Sequence, residues 1–219
     1  AEMVENNQSL SDNKLLVDAI TSWYQEETDM ILMLSRKLGV LVEKKVEKPE
    51  TKLKNDIKRL KDKHYLSTRI KVKGAASDIK VDANFERRTI AMSVNVTPPL
   101  DKGVISRITW IKKQLDKIEN TSLLEYAYID ADIKHTANSI KYKYANIENF
   151  YEHDGIKNKN IIGFSIEVIK SLNFTSTKSF IKDIEHLLLD FYHTIVQDLK
   201  TWKKPAPKLQ VKKEDNPKS

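Results

Sequence analysis

The chain has 219 residues, a formal net charge of +7, 40% hydrophobic and 32% charged side chains, and no cysteine. These values exclude disulfides, thiolate metal sites and a cysteine nucleophile, and they are too apolar for a fully disordered chain. No apolar run approaches the roughly 20 residues that cross a bilayer.

A soluble, cytoplasmic protein without membrane contact is therefore expected. The opening stretch Ala1 to Ser11 lacks the basic and apolar regions of a signal peptide, and a start at Ala1 suggests a processed or truncated chain. Charge is uneven along the sequence. Residues 1–43 carry net −5, residues 44–63 net +5, residues 64–199 net +2 and residues 200–219 net +5. The excess sits in two short stretches, the pattern of a module with basic attachments. Such stretches either meet an acidic partner, nucleic acid foremost, or keep connectors solvated.

The first predicted element is a long helix over 12–46, capped by Ser11 or Asp12. A seam spaced alternately four and three residues apart runs through Leu16, Ile20, Trp23, Glu27, Met30, Leu34, Lys37 and Leu41. It resembles a coiled-coil stripe interrupted twice. The additional apolar residues Leu15, Ile31, Leu38 and Val42 widen the stripe, as in a helix that packs on its own domain. Gly39 weakens the last turns and Pro49 ends the run. A second helix over 50–63 has Leu53, Ile57 and Leu60 on one side. Its other side carries Lys52, Lys54, Lys58, Arg59, Lys61 and Lys63, a basic back suited to a phosphate backbone or to water.

Three strands follow at about 65–73, 77–86 and 88–97. Apolar residues alternate cleanly: Ile70 and Val72, then Ile79, Val81, Ala83 and Phe85, then Ile90, Met92, Val94 and Val96. Alternation gives each strand one buried face. Turns are expected at Gly74 to Ser77 and at Glu86 to Arg88. Pro98-Pro99 stops the third strand. A helix over 103–119 is expected next, with Val104, Ile108, Ile111, Leu115 and Ile118 inward and Trp110 at the edge of that stripe.

Residues 122–134 read as a fourth, central strand, with apolar side chains on both faces. For 136–151 a helix through Ile140, Tyr144, Ile147 and Tyr151 is preferred, although Ile140, Tyr142 and Tyr144 also fit a strand. A fifth strand spans 160–170. A last helix covers 177–202, with Phe180, Ile184, Leu187, Leu188, Phe191, Ile195, Leu199 and Trp202 inward. The Lys- and Pro-rich tail from 203 is expected to be disordered. The sum is an α+β fold: a mainly antiparallel sheet of about five strands packed with helices, preceded by a long N-terminal helix. It divides as a helical region at 1–63, a sandwich domain at 64–202 and a basic tail at 203–219.

Catalytic signatures are sparse. The chain has no GxxxxGK[ST], GxSxG or HExxH, and its five glycines are not clustered, so no loop cradles phosphates by backbone alone. His186, Asp190 and His193 share one helix face, a spacing open to a metal but usual for a boundary face. The order of helix, three antiparallel strands, helix and parallel strand over 50–134 resembles the core of restriction-endonuclease-like nucleases. That resemblance implies an Asp on the second strand and an acid-x-Lys on the third, holding a divalent metal. The second strand offers Asp78 and Asp82. The third reads Ala91-Met92-Ser93-Val94-Asn95 and has neither residue. An acid-x-Lys comes one strand late, as Asp132-Ile133-Lys134 beside Asp130.

The reading preferred from sequence is a non-catalytic interaction module without cofactor or metal. Its expected phosphate contacts are Lys52, Lys54, Lys58, Arg59 and Lys61, with DNA or RNA as partner and the 12–46 helix as a site for a protein partner or self-association. A metal-dependent nuclease using Asp78, Asp82, Asp130, Asp132 and Lys134 is one alternative. A purely structural part of a larger complex is the other.

Overall fold

Gly39 decides where the first helix stops. In a computed structural model, which describes residues 2–96, 112–113, 115–133, 139–153, 161–172 and 180–199, helix α1 spans Glu2–Leu38. Gly39 then takes φ +64° and its N–H closes the last turn on the Ser35 carbonyl at 3.0 Å. This is a left-handed helix stop, which a Cβ would strain. The chain reverses at once into a short strand, β1 (Val42–Lys44). The sequence predicts helix to residue 46; the left-handed cap overrides it, and Val42 joins a sheet.

Helix α2 (Pro49–Lys63) matches its expected span, with proline in the first turn, where its missing N–H costs nothing. His64 ends it at φ 57°, and the His64 carbonyl accepts from the Phe85 N–H at 2.8 Å. The end of α2 is thereby tied to the turn beyond β3.

The three alternating segments form β2 (Tyr65–Val72), β3 (Ile79–Asn84) and β4 (Thr89–Val96), paired antiparallel in sequence order. Gly74 (φ +88°) and Arg88 (φ 51°) occupy the two turns, and Asn84 Oδ1 accepts from the Arg87 N–H at 2.8 Å. Further on come β5 (Ala127–Ile133), β6 (Ile140–Lys143), a short α3 (Ile147–Glu152), β7 (Ile161–Ser171) and α4 (Phe180–Phe191). Tyr192–Val196 continues α4 as a π-helical turn, closed by Gln197 N–H to Tyr192 O at 2.8 Å.

The sheet has seven strands in the order β1-β2-β3-β4-β7-β5-β6, and every neighbouring pair is antiparallel. The expected count of about five is corrected to seven. One added strand is β1. The other is β6, in the segment 136–151 where a helix is preferred from sequence; the Ile140/Tyr142 alternation prevails there because β5 offers it an open edge. β5 itself runs parallel to β4 but does not touch it. β7 lies between them, paired with β4 from Thr89↔Ser171 to Val96↔Phe164. From the helix expected over 103–119, Lys112, Lys113 and Leu115 are described as helical and the chain turns from Asp116; Trp110 and the rest lie outside the described residues, as does the tail.

One face of the sheet is buried. Ile70, Ile79, Val81, Ile90, Met92, Ile129 and Ile166 are at most 1% exposed. Ile20, Trp23, Met30 and Leu34 of α1 and Ile184, Leu188 and Phe191 of α4 belong to the same core. Trp23 meets Phe180 edge-on at 5.7 Å. The seam of α1 is therefore spent on the chain's own core from Ile20 to Leu34, which leaves Leu15, Val17 and Leu32 exposed. Among the described residues no helix is long and apolar enough to cross a membrane.

Glu26, beside Trp23, carries a buried oxygen without a hydrogen-bond partner among the described residues. Burial pushes its carboxyl above the ordinary 4.5, and Asp29 adds to this; the backbone N–H groups of Phe180 and Ile181 pull the other way. A raised acid binds its proton more tightly when folded, so stability falls as pH rises from about 4.5 through the raised value. We expect Glu26→Gln to raise the melting temperature at pH 7 and to change it little at pH 4. Thermal unfolding at the two pH values checks this, and an equal shift at both would contradict it.

Candidate nucleic-acid interface

The five basic residues expected to meet phosphate fall into two groups. Lys52 and Arg59 turn inward. Lys52 Nζ stands 2.8 Å from Asp56 Oδ2 and 3.2 Å from Glu27 Oε1, over the Tyr24 ring at 4.3 Å. Arg59 Nη1 meets Asp56 Oδ1 at 3.2 Å. Lys44 Nζ closes the cluster at 3.1 Å from Glu27 Oε2. Both carboxylates are out of water, Glu27 at 0% and Asp56 at 1% exposure. Charges so placed persist only when paired and hydrogen-bonded. The Tyr24 hydroxyl donates to Asp56 at 2.8 Å. Burial, then that bond, pushes the Tyr24 phenol well above its ordinary value. It remains a donor throughout the pH range in which proteins fold.

These contacts give the interruption in the α1 seam a physical meaning. Glu27 sits between Trp23 and Met30 and faces Lys44 and Lys52. Its sequence signal is an acid inside an apolar stripe, followed by a lysine-rich segment. Nothing local says which lysines it holds.

Lys54, Lys58 and Lys61 face away. All three are exposed and make no ion pair with a described residue. They stand at i, i+4 and i+7 of α2, which aligns them on one side of the helix. The helix is therefore double-sided: an inner edge holds buried charge, and an outer edge presents three cations to solvent.

The carboxylates of the nuclease alternative do not converge. Strand pairing puts Asp82, Asp130 and Asp132 on one face, but β4 and β7 separate β3 from β5. Three strand spacings amount to about 14 Å, too far for one metal ion. Oδ1 of Asp82 and Oδ1 of Asp130 are each buried without a partner among the described residues, while Lys80 meets Asp82 at 3.1 Å. Lys134 lies outside the described residues. On the same face, Lys141 pairs with Glu167 and lies over Tyr128 at 5.5 Å. His186, Asp190 and His193 are exposed; His193 Nδ1 meets Gln197 Oε1 at 2.9 Å, and Asp190 lies 3.4 Å from the Ser122 hydroxyl. No group of three potential metal ligands forms among the described residues.

Fold and site together define an α+β protein with a seven-stranded antiparallel sheet and a basic, surface-mounted helix. No protein-family model, curated protein or solved structure matches the chain.

Proposed function

We propose that this chain is a non-catalytic interaction module that contacts an acidic partner, nucleic acid first, through the outer side of α2. The observation that carries the reading is the row Lys54, Lys58 and Lys61, exposed and without a carboxylate partner among the described residues. Lys52 supports this surface from behind, because it anchors α2 to α1 through Glu27, and Arg59 pairs Asp56, which accepts from the Tyr24 hydroxyl of α1. The net +5 tail over 200–219 would add sequence-independent attraction. Lack of cysteine supports a reducing, cytoplasmic setting.

The test is titration of double-stranded DNA across a range of salt. Each phosphate contact contributes about 0.9 to the slope of log affinity against log salt. Replacing Lys54, Lys58 and Lys61 together by Glu should flatten that slope by about 2.7. It should weaken all sequences alike, since phosphate contacts carry no base information. An unchanged slope removes α2 from the interface. Lys52 and Arg59 stay as they are in this test, because their loss weakens the pairing of the buried carboxylates Glu27 and Asp56.

A further inference from the structure

A cavity of about 130 Å³ lies where the edge of β2 loses its neighbour. β1 covers β2 only from Ile70 to Val72, and one more bond, Lys45 N–H to Arg69 O at 3.0 Å, ends the coverage. Below that point the cavity reaches round the strand edge. Thr68 lines it from the helix-covered side, and Ser67, Arg69 and Lys80 from the other. One water needs about 10–15 Å³ of such space, so the cavity takes a larger polyatomic species.

The lining is strongly cationic. Six lysine and arginine side chains stand against Glu27 and the exposed Glu47. Asp56 and Asp82 neutralise two of those cations from behind the wall. Two positive charges remain over. Arg69 and Lys80 are moreover direct cross-strand partners. Like charges opposite one another destabilise a sheet. Arg69 has no carboxylate partner among the described residues, and the nearly buried Thr68 (5% exposed) brings a hydroxyl that bonds to none of them. A guanidinium fork, ammonium groups and two hydroxyls, all able to donate to an anion, thus belong to residues that line one small space.

We propose that this cavity binds a phosphate dianion, free or as the terminal group of a monoester. Arg69 takes two of its oxygens, Lys45 and Lys80 supply charge, and Ser67 and Thr68 donate hydroxyl hydrogen bonds. Bound there, the anion pairs the charge of Arg69, which no carboxylate of the described residues meets, whereas Lys80 already has Asp82. The site uses none of the outward lysines of α2, so it stands apart from the nucleic-acid reading.

Isothermal titration with inorganic phosphate, against chloride at equal ionic strength, tests it on the full chain. Saturable binding by the wild type is expected, with a melting temperature that rises with phosphate and not with chloride. Arg69→Gln and Thr68→Val should each weaken the affinity at least tenfold. Circular dichroism should show both variants folded, and if one fails to fold, the other carries the comparison. Phenyl phosphate separates the sources: competition means the site admits a monoester, and binding of inorganic phosphate alone means free phosphate. The variant with Lys54, Lys58 and Lys61 changed to Glu should bind phosphate like the wild type, which keeps this result independent of DNA binding. Absence of saturable binding, equal binding of dimethyl phosphate, or unchanged affinity in Arg69→Gln would overturn the proposal.

Discussion

Replacing Glu27 by Ala is expected to cost about 3–5 kcal/mol of folding stability, the cost of breaking a buried ion pair by removing one partner. Glu27 has no exposed surface and holds Lys44 and Lys52 at 3.1 and 3.2 Å. Without it, Lys52, whose side chain is 14% exposed, keeps only Asp56. A typical domain has about 5–15 kcal/mol in all, so the variant is expected to be marginal at 37 °C. Urea unfolding measures the difference. A cost below about 1 kcal/mol would mean that the cluster behaves like a surface pair. Replacing both members, Glu27→Leu with Lys52→Met, removes the uncompensated charge and should recover much of the loss. Asp56 would still hold Arg59 and the Tyr24 hydroxyl. Recovery would show that the cluster positions α2 against α1 more than it stabilises the fold.

Phe191→Ala should cost a similar about 3–5 kcal/mol for a different reason. Phe191 is fully buried at the last position of α4, where the helix widens into the π turn. Truncation removes a ring from a close-packed core that relaxes only in part. Leu32→Ala is the matched control. Leu32 is apolar and helical but 63% exposed, so its loss should stay within about 0.5 kcal/mol. Chemical unfolding of both variants checks the pair. Equal costs would mean that α4 does not close the core.

Several elements are legible from residue pattern alone. Period-two alternation predicts β2, β3 and β4 to within a residue or two, because a half-buried strand must place its apolar side chains on one face. The spacing of Leu53, Ile57 and Leu60 predicts α2, and the alternation of Ile162, Phe164, Ile166 and Val168 predicts β7. The weaker signals mislead. Leu41 and Val42 continue a helical stripe by spacing, yet Gly39 turns the chain before them and Val42 pairs with Val72. Tyr144 and Ile147 fit a helix and Ile140 and Tyr142 a strand; both occur, back to back, because β5 supplies an edge for the first two residues of the run.

The candidate interface is legible to the same degree. A basic helix with a hydrophobic side is plain in the sequence, but its division into Lys52 and Arg59 inward and Lys54, Lys58 and Lys61 outward is not. Asp56 holds Lys52 and Arg59 at helical spacing within α2, but the burial of Asp56 and the second contact of Lys52, with Glu27, depend on where α1 lies.

Local composition and periodicity settle the α+β class, the two-faced strands and the basic stretches, because each follows from neighbours a few residues apart. Strand order belongs to the tertiary structure. β7 enters between β4 and β5 through pairs such as Thr89↔Ser171, eighty-two residues apart, and no local pattern encodes such a pairing. The buried charge cluster and the cavity at the edge of β2 are of the same kind. The cluster gathers residues from α1, β1 and α2, the cavity adds β2 and β3, and the energy of a buried charge depends on all of its neighbours at once.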